Sequence, residues 1–381
     1  MIVEAVRTPV GRGSAEKGYY RTVHPAELLG RCFVEVLGRV DLDAREVENV
    51  FGGCVHQIGE QSSGITRNAW LGTGLPYTTG ATTIDTRCGS SQQAIHIAAT
   101  RIQTGVDTVV VAGGVEHMGH VGFKVNDAAQ EQFGRAYSQE LLDRYALVSQ
   151  GEAAELIAER WSISREEMDE LALRSHRLAQ QATVDGKFER EILPITADGE
   201  THTTDQGIRP DTSLEALAQL KPSFRRGGNI TAGNSSQISD GAAALLLMSS
   251  EKADAFGLRP RAKVLDQVSL GVDPETMLTG PIPATARILA RNKMTLDDVD
   301  LVEVNEAFAP VVLAWAREHQ PDMDRVNTRG GAIALGHPLG ATGARLMTTL
   351  LHALEDEDKE IGLVTMCCGG GIGTASLIQR I

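Results

Sequence analysis

Largely apolar runs recur along this chain, separated by segments whose apolar positions have helical spacing. Such runs cover 50–55, 106–114, 242–248 and 361–371. A strand that is buried on both faces shows no alternation with polar residues, so the runs predict a mostly parallel sheet in an α/β protein. The clearest helix begins at Ser164, where Glu167 completes a capping box, and it ends before Gly186.

The pattern occurs twice, which indicates an internal duplication. Leu42-Asp43 precedes the first strand run, and Leu296-Asp297 precedes a similar run that ends at Asn305. Further along each half, Thr86-Arg87 and Thr328-Arg329 open a turn of small residues before an apolar helix. Two similar halves of this kind predict a pseudo-symmetric pair of sheets.

The stretch 118–239 lies between the halves, breaks the repeat and is richer in charge. We therefore expect an inserted domain there. The N-terminal half would cover 1–117 and be completed by about 240–260, and the C-terminal half would cover 261–381. A length of 381 residues also exceeds the size at which a single hydrophobic core stops growing, so two or three packed units are expected.

Composition and charge exclude several classes of protein. Hydrophobic residues make up 42% and charged residues 23%, as in ordinary globular proteins. The net charge of -14 argues against binding to nucleic acid or to an anionic membrane, because both need a basic field. No run reaches the roughly 18 apolar residues of a membrane span, and the N-terminus lacks a signal-peptide core, so a cytoplasmic protein is expected. The odd number of scattered cysteines argues against a disulfide framework.

Cys88 lies between a predicted strand at 82–85 and an apolar helix, with Gly89 directly after it. The N-terminus of a helix carries positive charge and free N–H groups, which would stabilise the thiolate and make the residue reactive. The glycine leaves room for a substrate carbonyl to approach the backbone. The alternative is a buried cysteine that acts as a small hydrophobic residue.

His337 lies in a segment rich in glycine, at the pseudo-symmetric counterpart of the Cys88 turn. Pro338 is expected at the first position of the following helix, so the histidine would be held rigidly. If the two halves face each other, both turns reach one cleft. The alternative is a structural histidine.

Two further groups follow predicted strands of the second half. Cys367 and Cys368 lead into a glycine run, and the carboxyl end of a strand is where α/β sheets place their sites. Asn305 could order a water beside His337 and so supply donors to an oxyanion, or it could cap a helix. Vicinal cysteines without a second pair at metal spacing are poor zinc ligands, so no metal is expected. The glycine run also lacks the helix and the acidic residue of a dinucleotide site.

Four motifs together resemble the thiolase family in identity, order and spacing, and the match spans the whole chain. They are Cys-Gly-Ser-Ser at 88–91, Asn-Glu-Ala-Phe-Ala at 305–309, Gly-His-Pro-Leu-Gly at 336–340 and Cys-Cys-Gly-Gly-Gly at 367–371. The resemblance implies two βαβαβαββ halves in a five-layered αβαβα core, with an inserted loop domain that binds coenzyme A. It implies an acyl-CoA C-acyltransferase that cleaves or forms 3-ketoacyl-CoA, with coenzyme A as a substrate and no tightly bound cofactor. It further implies a homodimer or homotetramer and allows for a partner in a multienzyme assembly.

The resemblance also assigns roles by position. Cys88 matches the nucleophile, His337 its activating base and Cys367 the second acid/base. Asn305 matches the water-holding residue of one oxyanion site, and the backbone N–H groups of Cys88 and Gly369 match the second site. The positions that match coenzyme A contacts are Arg209, Leu220, Ala232 and Ser236. Arg225 and Arg226 are further candidates for a phosphate contact, with a solvated surface as the alternative.

Two positions depart from the family's pattern. Gln150-Gly151 stands where many relatives carry Met-Gly against the acyl group, which puts the accepted chain length in doubt. Cys368 replaces an aliphatic residue and is interpreted as structural. A ketoacyl synthase of the same fold and a non-catalytic acyl-CoA or lipid-binding protein are the alternative functions. Cys367 argues against the first, and the presence of all four motifs argues against the second.

Overall fold

The structure, a computed structural model, describes all residues from 1 to 381. Its strands are β1 (Ile2–Arg7), β2 (Gly11–Arg12), β3 (Asn49–Gly53), β4 (Gly80–Ile84), β5 (Val109–His117), β6 (Ile195–Ala197), β7 (Glu200–His202), β8 (Ser239–Met248), β9 (Ala262–Gly271), β10 (Leu301–Val304), β11 (Ile361–Cys368) and β12 (Ile372–Arg380). Its α-helices are α1 (Pro25–Gly38), α2 (Ile65–Gly72), α3 (Ser90–Gln103), α4 (Phe123–Phe133), α5 (Gln139–Arg144), α6 (Gln150–Arg160), α7 (Arg165–Val184), α8 (Leu214–Ala218), α9 (Ser250–Phe256), α10 (Pro281–Arg291), α11 (Ala309–His319), α12 (Ala332–Leu335) and α13 (Thr342–Asp356).

Each half forms a mixed sheet, and both sheets have the same strand order. In the first half the order is β4-β3-β5-β8-β1, with β3 parallel to β4 and β5, and β8 antiparallel to β5 and β1. In the second half, β10 is parallel to β11, and β12 is antiparallel to β11 and β9. The counterpart of β4 is reduced to a single parallel bridge between Val302 and Val326. The predicted duplication is therefore present as a repeated topology.

The two sheets are joined edge to edge, which the hydrophobic pattern did not predict. Ile2 of β1 pairs with Ala262 of β9, so all the main strands follow one hydrogen-bonded path. Only this one residue pair makes the connection between β1 and β9.

The helices complete five layers around the sheets. α1 and α2 pack on the outer face of the first sheet, in a core that includes Phe33 and Trp70. α3 and α13 pack against each other between the sheets. α10 and α11 cover the outer face of the second sheet, in a core that includes Ile288 and Trp315. Each large apolar side chain buried in these cores contributes about 1.5–3 kcal/mol to folding.

Strand alternation explains why the strand sequences contain few polar residues. In β5, Val109 and Val111 face the outer core, whereas Val110 and Ala112 face the central helices. Both faces of the strand are thus covered by helices, so neither face selects for polar residues.

Residues between β5 and β8 form the inserted segment, and its helices pack on the second half. Ile157 of α6 and Met168 of α7 belong to the same core as Trp315 of α11. The predicted capping box is confirmed, since Ser164 and Glu167 cap α7 reciprocally. The chain from 221 to 238 contains no helix or strand, although Pro222 and Thr231 form one antiparallel bridge.

Candidate active site

A strained turn presents Cys88 at the start of α3. Arg87 has a φ of 52°, a left-handed conformation that costs a residue with a side chain about 1–2 kcal/mol. Local hydrogen bonds hold it there. Ser90 Oγ accepts from the Thr86 N–H at 2.9 Å and donates to the Arg87 carbonyl at 2.5 Å, and Asp85 Oδ1 accepts from the Arg87 N–H at 2.8 Å. The turn thus resembles the sharp strand-to-helix bend that exposes a nucleophile in hydrolases.

The environment of Cys88 favours the thiol and not the thiolate. The side chain is 2% exposed, and burial raises the pKa of Cys88 to about 11, although hydrogen bonds from the N–H groups of Gly369 and Cys88 itself oppose the shift. The expectation of a thiolate stabilised by the helix N-terminus is therefore wrong for the resting state, because desolvation of the charge outweighs those donors. A base must take the proton before Cys88 can attack.

His337 lies five residues before the first residue of α13, and hydrogen bonds hold both its ring and its backbone. Its ring Nδ1 lies 2.7 Å from Thr342 Oγ1, and its backbone N–H donates to Ser239 Oγ at 3.0 Å. Gly336 adopts a φ of 107°, which an L-residue with a side chain rarely adopts. Pro338 precedes a short 3-10 helix at 339–341 and does not start α13, which corrects the expected first helical position.

The His337 imidazole is neutral at neutral pH. Burial, and then the positive charge of Arg345, lower the pKa of His337 to about 3. Asn305 is fully buried, and its Nδ2 lies 3.4 Å from His337 Nε2. Asn305 does not cap a helix, since α11 begins at Ala309 after Phe308. Asn305 Oδ1 is buried without a hydrogen-bond partner, so this amide retains an acceptor for a water or a ligand.

Cys367 and Cys368 point to opposite faces of β11, because neighbouring residues in a strand alternate. Cys367 belongs to the core that contains Phe308, and Cys368 belongs to the central core that contains Cys88. A Cβ on Gly89 would lie 2.7 Å from Cys368 Sγ, which indicates that Cys368 packs beneath the Cys88 turn. Burial, and then the neighbouring Cys88, raise the pKa of Cys367 well above its usual range, so it is a neutral thiol.

Cys88 and His337 open onto two adjoining cavities. Cys88 and Gly369 line a cavity of about 360 Å³, and His337 lines one of about 470 Å³. The residues common to both linings are Phe123, Asp127, Ser149, Gln150 and Leu339. Cys367 lines neither cavity and is fully buried. The structure thus places Cys88 and Gly369 on the lining of one cavity, and it pairs Asn305 with His337, which lines the adjoining cavity.

Glu116 organises this region, although sequence reasoning did not assign it a role. Its buried carboxylate accepts from the N–H groups of Val55 at 2.9 Å, His56 at 3.0 Å and Gly340 at 2.9 Å. Val55 and His56 line the cavity of Cys88, whereas Gly340 follows His337 closely. The carboxylate therefore ties the two halves of the site together. The sequence feature that could have identified Glu116 is an acidic residue at the end of an otherwise apolar strand.

The residues matched to coenzyme A contacts do not all lie together. Ser236 lines the cavity of His337. Leu220 is half-buried, and Ala232 and Arg209 are exposed, and none of these three lines either cavity. Two buried side chains fix the loop itself. Glu155 accepts from the Asn229 and Ile230 N–H groups at 2.9 Å, and Asn234 Oδ1 accepts from the Thr231 N–H at 2.8 Å.

Comparison with known proteins decides the family. Residues 1–251 match the thiolase N-terminal domain, and residues 258–380 match the thiolase C-terminal domain. The chain belongs to the thiolase family. Two curated thiolases are similar along the whole chain: the steroid 3-ketoacyl-CoA thiolase FadA6 of Mycobacterium tuberculosis, 45% identical with 94% of its length covered, and a 3-ketoacyl-CoA thiolase of Saccharophagus degradans, 42% identical with 98% covered. The crystal structure of the Bacillus anthracis acetyl-CoA acetyltransferase superposes with a TM-score of 0.91 at 39% identity, covering 100% of this chain and 98% of that one.

Membership of the thiolase family confirms the predicted fold and the class of enzyme. It does not favour the ketoacyl synthase or the non-catalytic binding protein. In this thiolase no group of three or more His, Cys, Asp or Glu side chains could hold a metal ion. None of its helices combines the length and the apolar character needed to cross a bilayer.

Proposed function

We propose that this thiolase cleaves 3-ketoacyl-CoA with coenzyme A to acetyl-CoA, or a homologue, and a shortened acyl-CoA, and that it also catalyses the reverse condensation. The observation that carries the proposal is that Cys88 and Gly369 line one cavity, and that this cavity shares five lining residues with the cavity lined by His337. The relatives named as 3-ketoacyl-CoA thiolases support the same substrate class.

In the first half-reaction, Cys88 is the nucleophile and His337 the base. The neutral imidazole takes the thiol proton at Nε2, and the sulfur then forms a bond to the 3-keto carbon of the substrate. The bond between carbons 2 and 3 breaks, and its electron pair remains on the departing enolate. Cys367 is a neutral thiol and donates its proton to carbon 2, which releases acetyl-CoA and leaves acyl-Cys88.

In the second half-reaction, the Cys367 thiolate takes the thiol proton of incoming coenzyme A. The new thiolate attacks the carbonyl carbon of acyl-Cys88, and the sulfur of Cys88 leaves and recovers its proton from the His337 imidazolium. The shortened acyl-CoA is then released. Because an acyl-enzyme separates the two halves, ping-pong kinetics are expected.

Two sets of donors would stabilise the oxyanions that form in these steps. One consists of a water ordered by Asn305 together with His337, and it serves the thioester oxygen of the enolate. The other consists of the backbone N–H groups of Cys88 and Gly369, and it serves the oxygen on the carbon bonded to Cys88 sulfur. Loss of a single such donor costs about 2.7–4 kcal/mol of transition-state stabilisation in a well-studied protease.

The segment 118–239 is the proposed binding domain for coenzyme A. Ser236 supports this assignment because it lines the cavity of His337, where the pantetheine must approach. Arg209, Leu220 and Ala232 remain predicted contacts further out. Of the two additional arginines, Arg226 suits a phosphate better: Arg225 is already paired with Glu152 and Glu159, whereas Arg226 is exposed.

Gln150 is the proposed determinant of acyl-chain selection. It lines both cavities, and a Cβ on Gly369 would lie 2.7 Å from its Nε2. An acyl chain that covers this amide without replacing its hydrogen bonds to water loses about 1–3 kcal/mol. We therefore expect acyl chains with an oxygen atom near Gln150 to be preferred over saturated chains.

Assembly, boundaries and location complete the proposal. The domain boundaries at 117, 239 and 261 are predictions from the sequence repeat. A homodimer or homotetramer is supported by β4, which is the edge strand of the first sheet and is only partly covered. Coenzyme A is a substrate, and no tightly bound cofactor is proposed. A cytoplasmic location and a partner in a multienzyme assembly are predictions from the sequence.

A direct assay tests the proposed function. The purified chain is mixed with acetoacetyl-CoA and free coenzyme A, and the loss of enolate absorbance is followed. Mixing with acetoacetyl-CoA alone should give an acetyl adduct on Cys88, detected by peptide mass spectrometry. Absence of both the absorbance change and the adduct would reject the thiolase reaction. Turnover with an acyl-carrier-protein substrate but not with coenzyme A would favour a ketoacyl synthase instead.

A further inference from the structure

The hydroxyl of Thr342 lies beside the ring of His337, on the side away from Asn305. Thr342 Oγ1 is 2.7 Å from His337 Nδ1, and Asn305 Nδ2 is 3.4 Å from His337 Nε2. Thr342 is fully buried, and His337 is 3% exposed. The two ring nitrogens therefore have different and well-defined neighbours.

Counting protons on the hydroxyl fixes which ring nitrogen carries hydrogen. Thr342 Oγ1 also lies 2.8 Å from the carbonyl oxygen of Pro338, and a carbonyl can only accept. The single hydroxyl proton is therefore donated to Pro338, and Thr342 Oγ1 must accept from His337 Nδ1. The proton of the neutral ring is on Nδ1, which leaves a lone pair on Nε2, and Asn305 Nδ2 is a donor that suits it.

We propose that Thr342 is a positioning residue that holds His337 in the Nδ1–H tautomer and so makes Nε2 the catalytic base. This inference rests on the proposed function, in which His337 takes the proton of Cys88. A ring with its proton on Nε2 could not accept that proton at the side facing the substrate. Thr342 touches neither substrate nor reacting atoms, and it acts through the imidazole.

The arrangement also serves the protonated state. After proton transfer, both ring nitrogens carry hydrogen, and Thr342 Oγ1 continues to accept from Nδ1 without rearrangement. The charged group that acts on the ring is Arg345, one turn further along α13 from Thr342, and its guanidinium lies 3.9 Å from the carboxylate of Glu303 on β10. Neither forms a hydrogen bond to the ring, so Thr342 alone holds Nδ1.

The test compares Thr342→Val with Thr342→Ser. Valine keeps the shape of threonine but removes the acceptor, whereas serine keeps the hydroxyl. We expect Thr342→Val to lower kcat by about tenfold or more, up to the 10²–10⁴ that a general base contributes, with the KM for coenzyme A nearly unchanged. Thr342→Ser should recover most of the loss.

Thr348→Val is the matched control for the helix itself. Thr348 is also buried on α13, and its hydroxyl donates to the Ala344 carbonyl at 2.8 Å, but it does not contact His337. It should lower the thermal unfolding midpoint by an amount similar to Thr342→Val while leaving kcat close to wild type. Equal losses of kcat in both valine variants would overturn the proposal, because the effect would then be structural.

Nitrogen-15 NMR of the histidine rings gives a readout that does not depend on activity. His337, assigned by its absence in His337→Gln, should show a protonated Nδ1 and an unprotonated Nε2 in the wild type, and a changed pattern in Thr342→Val. A protonated Nε2 in the neutral wild-type ring would overturn the proposal. An inactive wild type with a protonated Nδ1 would contradict the proposed function but not the tautomer assignment.

Discussion

The Cys88 turn and the His337 turn occupy equivalent places in the two halves, but they differ in how the backbone is held. Arg87, with a φ of 52°, precedes the cysteine; its N–H donates to Asp85 Oδ1 and its carbonyl accepts from Ser90 Oγ, and these bonds stabilise the strained conformation. Gly336, with a φ of 107°, precedes the histidine, and because glycine has no side chain this backbone conformation causes no steric strain. The same topological position therefore supports two chemistries, because each turn leads into one of the paired central helices: the Cys88 turn into α3, and the His337 turn, through the 3-10 helix at 339–341, into α13.

Burial shifts the pKa values of Cys88 and His337 in opposite directions. Burial raises the pKa of Cys88 to about 11 and, with Arg345, lowers the pKa of His337 to about 3. Both shifts favour the neutral form, because a charge is poorly solvated in the protein interior. The pair therefore rests as thiol and imidazole, and the ion pair forms during the reaction.

Replacing the nucleophile is expected to have the largest effect. Cys88→Ser should lower kcat by about 10⁴ or more, because the hydroxyl is a much weaker nucleophile and the loss of a nucleophile in a protease costs about 10⁶. Affinity for coenzyme A, measured by calorimetry, should remain close to wild type. Thiolysis at an undiminished rate would remove Cys88 from this role.

Removing the second acid/base should separate the two half-reactions. Cys367→Ala is expected to lower overall turnover by about 10²–10⁴, since it removes the proton donor to the enolate and the base for coenzyme A. Incubation with an acyl-CoA should still acylate Cys88, which intact-protein mass spectrometry can measure. Cys368→Ala is the matched control and should retain most activity. A normal rate of acyl transfer in Cys367→Ala would show that the wrong cysteine was assigned.

The pH dependence of alkylation sharpens the comparison of the two turns. With a raised thiol pKa, the thiolate fraction of Cys88 falls as pH is lowered, by about tenfold per unit below the pKa. The rate of iodoacetamide modification at Cys88 should therefore climb steadily from about pH 7 to 10. Peptide mapping identifies the modified residue. A rate that is already constant between about pH 6 and 8 would instead indicate a preformed thiolate and imidazolium pair, as in papain-like proteases.

The smallest expected effect concerns the acyl chain. Gln150→Met should raise the ratio of kcat/KM for a saturated 3-ketoacyl-CoA to kcat/KM for a chain of equal length with an added oxygen by about tenfold. The reason is that a saturated chain leaves the Gln150 amide without a hydrogen-bond partner, and methionine has no amide. A panel of matched substrate pairs measures this ratio. Gln130→Met, at the same cavity as Cys88 but not the one of His337, serves as the control. An unchanged ratio in Gln150→Met would exclude Gln150 from selection.

Much of the fold followed from local patterns. The apolar runs at 106–114 and 361–371 predicted strands covered on both faces, and β5 and β11 lie within them or overlap them. The capping box at Ser164 correctly predicted the start of α7. Such features depend on neighbouring residues in the chain, so sequence alone carries them. The single pairing of Ile2 with Ala262 depends on strands that are far apart in sequence, and no local signal predicts it.

Long-range contacts also decided most of the site. The sequence placed Cys88 at the start of a helix, but the raised pKa of its thiol comes from burial among residues of both halves. Glu116 escaped notice because its partners, Val55 and Gly340, lie on segments far away along the chain. The sequence indicated Arg225 as a candidate for a phosphate contact, but in the fold its guanidinium is paired with Glu152 and Glu159.

By itself, the sequence determined that two similar α/β halves flank an insertion. It also placed Cys88 and His337 in equivalent turns of the two halves and Asn305 at the end of a predicted strand. Those facts reside in the order of residues and in their local spacing. The tertiary structure decided which groups meet, which of them are neutral and which nitrogen of His337 carries the proton. The physical reason is that desolvation and hydrogen bonding depend on atoms brought together from distant parts of the chain, and a linear pattern does not specify those distances.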